Sequence, residues 1–221
     1  MLKINEVFET IQGEGFFTGV PAIFIRLQGC PVECSWCDTK QTWVIDLEKE
    51  TSLDRVVNKK QESDAWCSLS PQEIIAYCVQ SFSARHVVIT GGEPCMYDLA
   101  PLTQLFTASG FTTQIETSGT FDVQCSESTW VTVSPKLDMR GGLAMRSQAL
   151  YRANEIKHPV GTQKDIDNLH ELMANFELQK EVIIALQPIS QKQRATEMCI
   201  EACIKNNWRL SIQTHKYLQI A

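Results

Sequence analysis

Hydrophobic positions along the chain follow two rhythms that take turns. Short apolar and β-branched runs at 22–27, 86–90, 113–117, 130–134, 155–158, 181–187 and 209–213 are mostly continuous rather than alternating. That is the pattern of strands buried on both faces of a parallel sheet. Amphipathic stretches lie between them. The clearest is 70–82, with Ser70 as N-cap, Pro71 at the first helical position and Glu73 three residues after the cap. Ile74, Ile75, Cys78, Val79 and Phe82 recur at helical spacing, so one face of that helix is expected to be buried. The stretches 99–108, 148–154, 166–176 and 193–206 predict further helices.

Repeated strand–helix alternation implies a parallel α/β sheet with right-handed connections. Rossmann, flavodoxin-like and full or partial β/α barrels all fit, although the seven strands expected are few for a closed eight-stranded barrel. In each of these folds ligands gather at the C-terminal ends of the strands. One interval breaks the rhythm. Residues 46–64, DLEKETSLDRVVNKKQESD, are dense in charge and read as a solvated insertion with one short helix around 53–58. The 221 residues suit one domain with a sizeable core, and the chain is read as a single domain, 1–221, carrying that insertion.

Composition sharpens the picture in two places. With 43% hydrophobic and 21% charged residues the chain resembles an ordinary soluble protein. Its net charge of -6 argues against a nucleic-acid partner, while leaving room for a local basic pocket. No run approaches the ~20 apolar residues that cross a bilayer. Glu6 and Glu9 interrupt the stretch where a secretory signal would be continuous, so a cytoplasmic protein without a membrane partner is expected. In a reducing compartment the nine cysteines are expected to be thiols and metal ligands, not disulfides.

Three of them fall within eight residues, in FIRLQG-Cys30-Pro-Val-Glu-Cys34-Ser-Trp-Cys37-Asp-Thr. A strand ends near Leu27 and Gly29 permits a sharp turn, so the thiols lie on a loop able to curl around a metal. Four thiolates would complete a 4Fe-4S site. Three leave one iron without a protein ligand, and an open position marks a catalytic centre. Zinc, a redox dithiol and chance buried thiols are the competing readings of a Cys-x-x-Cys pair, but no further Cys or His lies between Cys37 and Cys67 to complete a zinc knuckle. Of the other cysteines, Cys78 reads as core, and Cys199 and Cys203, one turn apart, as a buried helix face; Cys67, Cys95 and Cys125 have no partner motif.

Cys-x3-Cys-x2-Cys after a first strand, with Trp36 just before the last cysteine, resembles the radical S-adenosylmethionine (SAM) superfamily. The resemblance implies a partial, incomplete β/α TIM-like barrel of the α/β class. It also implies a 4Fe-4S cluster on Cys30, Cys34 and Cys37, with SAM chelating the open iron and being cleaved to methionine and a 5′-deoxyadenosyl radical. HVVITGGEP (86–94), a strand running into a double-glycine turn, resembles the superfamily's GGEP motif at the amino end of SAM, and gives that role to Gly91, Gly92 and Glu93. IETSG (115–119), VSPK (133–136) and QPIS (187–190) end further strands with polar groups suited to a ribose or adenine edge, or simply to helix capping. The resemblance sets Trp36, Cys37, Asp38, Gly92, Glu93, Ser134, Pro135, Lys136 and Gln187 against SAM.

Within the superfamily, NEVFETIQGEGFFTG (5–19), PAIFIRLQGCP, Cys-Asp-Thr, TGGEP, IETSGT, TVSPK and the terminal NWRLSIQTHKYLQIA resemble the 7-carboxy-7-deazaguanine synthase family over almost the whole chain. That likeness implies a lyase of queuosine biosynthesis. It would contract 6-carboxy-5,6,7,8-tetrahydropterin to 7-carboxy-7-deazaguanine with loss of ammonia, and SAM would be used catalytically. It assigns Ile11, Gln12, Gly13, Glu14, Arg26, Thr90, His215 and the C-terminal carboxylate of Ala221 to the pterin substrate, with Arg26 on its carboxylate, where a guanidinium can give two parallel donors. A structural ion pair is the plainer role for Arg26. Thr39 is implied as a Mg²⁺ ligand, the substrate supplying other oxygens. Glu33 departs from the family, whose residue there tends to be small. A flavodoxin or ferredoxin as electron donor and a homodimer are the family's further implications. A glycyl-radical activating enzyme, which shares the cysteine spacing, and a zinc-binding interaction module are the competing functions; the QGEG segment and Arg26 speak against the former.

Overall fold

The computed structural model describes residues 1–220, the side chain of Gln191 apart. Nine strands in them form one sheet: β1 (Leu2–Ile11), β2 (Pro21–Leu27), β3 (Cys67–Leu69), β4 (His86–Gly91), β5 (Thr112–Thr117), β6 (Trp130–Val133), β7 (Glu155–Val160), β8 (Ile183–Pro188) and β9 (Arg209–Leu210). Seven α-helices accompany them: α1 (Leu53–Val57), α2 (Pro71–Ser81), α3 (Ala100–Ala108), α4 (Ser147–Arg152), α5 (Gln163–Asn175), α6 (Gln193–Asn206) and α7 (Thr214–Leu218). The sheet order is β3-β1-β2-β4-β5-β6-β7-β8-β9. From β2 to β9 every pairing is parallel, whereas β1 runs antiparallel to both β2 and β3. The sheet ends on β3 and β9 without closing, which is the partial barrel that the resemblance implies.

All seven expected strands are present, and two more were not expected. β1 reads LKINEVFETI, with Lys, Asn and Glu at intervals, because one of its faces is only partly covered. A search for continuous apolar runs passes over such a strand. β3 is three residues long, too short to leave a pattern. The helix start at Ser70 is as expected: Ser70 Oγ accepts from Glu73 N while the Glu73 carboxylate accepts from Ser70 N at 2.7 Å.

Alternation along the strands divides the molecule into an outer and an inner face. Ile25, Ile89, Ile115 and Val131 stand in one register row and are fully buried. With Val87, Val133, Ile156 and Leu186 they pack in one core with Ile74, Cys78, Leu102, Phe106, Leu169 and Cys199 of the helices. This apolar layer supplies the main driving force for folding. The concave face is different. It carries His86, Gln114, Glu116, Thr132, Glu155 and Lys157, polar groups that bond to one another, and Gln187, which accepts from the Ser211 hydroxyl.

The β1–β2 connection fills this lumen. Phe16 stacks on Trp130 at 4.5 Å between ring centroids, and Phe17 lies against His86 at 4.3 Å. Trp130 and His86 begin their strands, so the two phenylalanines plug the N-terminal end of the barrel. Above them Gly15 N donates to Ser211 Oγ at 2.9 Å and Phe16 N to Glu155 Oε1 at 3.0 Å. The open end, where the strands finish, is left for ligands.

The 46–64 segment folds into a short 3-10 turn (Leu47–Lys49) and α1, where Val56 is buried. Its end is tied to β1 by Asn5 Nδ2, which donates to the carbonyls of Ser63 and Ala65, and by Lys59, whose ammonium donates to the carbonyl of Asn5 at 2.8 Å.

Candidate active site

At the C-terminal ends of the strands lies a cavity of about 280 Å³, close to the lower bound of small-molecule sites, ~300 Å³. Strand ends supply Arg26, Thr90, Glu116, Lys157 and Gln187, and the loop after β2 supplies all three cysteines of the motif. Arg26 and Thr90 stand opposite each other in the β2–β4 register.

Backbone bonds shape the cysteine loop. Gly29, at φ +104°, donates to Thr42 O at 2.6 Å, and Cys37 N closes a turn on Cys34 O at 3.1 Å. Glu33 takes φ +56°, the left-handed region in which a side chain is strained, and this gives a physical reason for a small residue there. Burial pushes the Cys30 thiol up to about 11, with Glu93 and the other two cysteines adding to the effect. Burial raises Cys34 as well, opposed by the nearby Lys136 ammonium. Buried thiols that resist ionisation need a strongly cationic partner, which a metal provides. Cys37 Sγ accepts from Thr39 N at 3.4 Å and from the Trp43 indole at 3.3 Å, the kind of donors that steady a thiolate ligand. No three His, Cys, Asp or Glu side chains among the described residues crowd one point closely enough for a single ion. A cubane asks for less convergence, because each sulfur takes a different iron. The donor set fits a three-cysteine cluster.

The double-glycine turn lies against this loop. Gly92 N donates to Leu27 O at 2.8 Å and Glu93 N to Gly29 O at 2.7 Å. A Cβ on Gly92 would stand 2.1 Å from the Gly29 carbonyl oxygen, so only glycine allows the two backbones to meet. Glu93 is buried, and its carboxylate accepts from Cys95 N, Thr117 Oγ1, Ser118 N and the Ser118 hydroxyl. It therefore braces the turn against the IETSG loop while its backbone borders the cavity. Ser134 accepts from the Lys136 ammonium at 2.7 Å, and burial pulls that ammonium below the usual lysine range.

Deeper in the cavity, Lys157 Nζ bridges two carboxylates, Glu14 Oε2 at 2.5 Å and Glu116 Oε2 at 2.8 Å. Burial alone would lift the Glu14 carboxyl, but the Lys157 ammonium and the donation from Gln213 Nε2 outweigh it and hold it at about 2. Burial would lower Lys157, and its two carboxylate partners drive it well above the ordinary range instead. Gln12 Nε2 adds a donor to Glu116 Oε1 at 3.0 Å. Arg26 spends its Nε on Glu6 Oε2 at 2.7 Å, and no partner among the described residues takes its two terminal nitrogens, so the fork still faces the cavity.

Of the residues singled out in the sequence, Cys30, Cys34, Trp36, Cys37, Asp38, Thr39, Glu14, Arg26, Thr90, Gly92, Glu93, Ser134, Lys136 and Gln187 line this one cavity. Ile11, Gln12, Gly13, Pro135 and His215 do not. Gln12 is buried behind Glu116, and His215 packs on Gly13, where a Cβ would lie 2.4 Å from its Nδ1. Ala221 lies outside the described residues. Sequence reading passed over Lys157, Gln213 and Lys216, and it gave the IETSG carboxylate, Glu116, to a ribose or adenine edge, whereas it pairs with Lys157. A lysine two residues after Glu155 in a strand, and so on the same face of it, was the available signal for Lys157. Lys216 sits at the mouth, 3.4 Å from Asp38 Oδ2.

Residues 11–135 match a family model described as a 4Fe-4S single cluster domain. The 7-carboxy-7-deazaguanine synthase of Escherichia coli (strain K12) is 62% identical over 219 residues, 99% of this chain and 98% of the relative. The enzymes of that name from Buchnera aphidicola subsp. Schizaphis graminum (strain Sg) and Flavobacterium psychrophilum are 46% identical over 98% of this chain and 35% over 100%, spanning 98% and 93% of those relatives. The crystal structure of QueE from Escherichia coli superposes with a TM-score of 0.93 at 60% identity, covering 96% of this chain and 93% of that one. An unclosed barrel with a three-cysteine loop on its ligand-binding rim, matched by a single-cluster domain, defines a 4Fe-4S protein of the radical SAM class. Within that class the chain belongs to the 7-carboxy-7-deazaguanine synthase family.

Proposed function

We propose that the chain converts 6-carboxy-5,6,7,8-tetrahydropterin to 7-carboxy-7-deazaguanine with loss of ammonia, as a lyase of queuosine biosynthesis. The observation that carries this reading is that the cysteine loop, Arg26, Thr90 and Glu14 open onto one cavity, in a chain 62% identical over 219 residues to an enzyme named for that product.

Cys30, Cys34 and Cys37 would hold the cluster, leaving one position for SAM, and the two groups together would supply carbon-radical chemistry for hydrogen abstraction. The residues do the rest. Gly92 permits the close approach to the Gly29 backbone and Glu93 locks that turn in place, where the methionine end of SAM would be held. Trp36, Asp38, Ser134, Lys136 and Gln187 line the same cavity and would border the rest of the cofactor. The free edge of the Arg26 guanidinium meets the substrate carboxylate. Glu14, held ionised by Lys157, accepts from the N–H groups of the pterin ring, with Thr90 beside it. The backbone of 11–13 and His215 support this wall from behind, and the Ala221 carboxylate is assigned to the substrate as well.

Thr39, whose hydroxyl lies 3.7 Å from Cys37 Sγ on the cavity wall, is assigned to Mg²⁺. Magnesium keeps waters and substrate oxygens, so one protein ligand suffices. We assign electron delivery to a small flavin or iron–sulfur carrier such as flavodoxin or ferredoxin, the working state to a homodimer of single-domain chains, and the location to the cytoplasm. No described helix is long and apolar enough to cross a membrane.

The test is anaerobic turnover of the carboxypterin with SAM and reductant. Absorbance and mass of the deazaguanine are expected, with the yield falling when Mg²⁺ is withheld. SAM cleavage without that product would overturn the substrate assignment.

A further inference from the structure

Trp43 belongs to none of the motifs used so far, yet it grips the cysteine loop at both ends. Its backbone carbonyl accepts from Cys30 N at 2.9 Å, and its indole Nε1–H donates to Cys37 Sγ at 3.3 Å. The segment that carries it is anchored independently of the loop it braces. Buried Gln28 donates through Nε2 to the carbonyls of Gln41 at 3.0 Å and Val44 at 2.7 Å, and its Oε1 accepts from Asn5 Nδ2 at 2.7 Å. The position of the indole is thus set from β1 and the end of β2. Trp43 also lines a shallow cleft with Cys30, Ile45 and Met96 on that side of the loop.

We propose that Trp43 is a positioning residue of the cluster site: it clamps the loop between Cys30 and Cys37 and, through its indole N–H, sets the cluster's reduction potential. The inference rests on the reading that Cys37 ligates iron. An N–H···S bond draws charge from a thiolate and so stabilises the reduced cluster, which carries one more electron. Thr39 N donates to the same sulfur at 3.4 Å, so loss of the indole donor shifts the potential without abolishing the site.

The experiment is an EPR-monitored redox titration of reconstituted wild-type protein and Trp43→Phe, which keeps an aromatic ring and removes the donor. A full cluster with a more negative midpoint is expected, together with SAM cleavage that weakens under dithionite and recovers under a stronger reductant. If Trp43→Phe does not retain the cluster, the same titration is made with benzothienylalanine placed at position 43, a side chain with the shape of tryptophan and no N–H. An unchanged midpoint in a variant with full iron content overturns the role of Trp43, because a merely structural part would lower stability and leave the potential alone. Cys37→Ala serves as the control. Retention of a four-iron cluster there overturns the ligand assignment itself, an outcome distinct from an unmoved potential.

Discussion

Lys157 is the residue on which the electrostatics of the lumen turn. Two carboxylates, Glu14 and Glu116, share one buried ammonium, and each would be costly to leave alone in so enclosed a place. Replacing Lys157 by Met removes the charge while keeping the length. Loss of one partner from a buried ion cluster costs about 3–5 kcal/mol, and urea denaturation should report a fall of that order. The Glu14 carboxyl lies below its ordinary value of 4.5, at about 2. Its contribution to stability is therefore full above pH 4.5 and lost as pH falls through 2. Without Lys157 burial dominates, the carboxyl rises, and the acid limb of both stability and turnover should move toward neutral pH. An unmoved acid limb in Lys157→Met would show that Glu14 owes its ionisation to something else. Glu93 teaches a related lesson. Its carboxylate spends its acceptors within the protein, so a motif residue can serve a ligand by fixing the backbone that touches it.

The elements differ in how plainly the sequence announced them. The parallel strands were legible as short, β-branched runs, as in HVVIT and WVTV, although the inner face that those runs were read as burying in apolar packing is polar. The capping box at Ser70 marked α2, and α6 fills 193–206 as expected. β1 was not legible as a strand because it alternates, and α7 because five residues carry no period. In the site, the cysteine loop and the double glycine declare themselves through chemistry that few other residues can perform. The Glu14–Lys157–Glu116 cluster does not, since it exists only when the sheet curves and the β1–β2 connection crosses its lumen. β7 also holds His158, buried against α5, with Nε2 donating to the Asp165 carbonyl at 2.8 Å. Burial lowers this histidine from 6.5 to about 4, and burial lowers His86 in β4 in the same direction. The neutral rings are favoured in the fold, so their contribution is present above pH 6.5 and is lost as pH falls toward 4. By ~1.4 kcal/mol per pKa unit, His158 alone accounts for about 3 kcal/mol across that window. Urea midpoints from pH 7 to 4.5 should decline accordingly, and His158→Gln should flatten the slope. An equal slope in that variant would place the acid sensitivity elsewhere.

As a whole molecule the chain separates two tasks. The outer face of the sheet and its helices carry the apolar packing, while the inner face is polar between the Phe16–Phe17 plug at one end and the cavity at the other. The open end gathers groups of three kinds within one cavity: thiols, close-set glycine backbone and paired charges. The central claim is that the loop of Cys30, Cys34 and Cys37 leaves one iron of a 4Fe-4S cluster open for SAM. Its most direct measurement is the EPR spectrum of the reduced, anaerobically reconstituted protein with and without SAM, at about four irons and four sulfides per chain. A cluster signal whose g-values change on addition of SAM is the expected result. A signal indifferent to SAM, or protein that binds no iron and sulfide, would contradict the account.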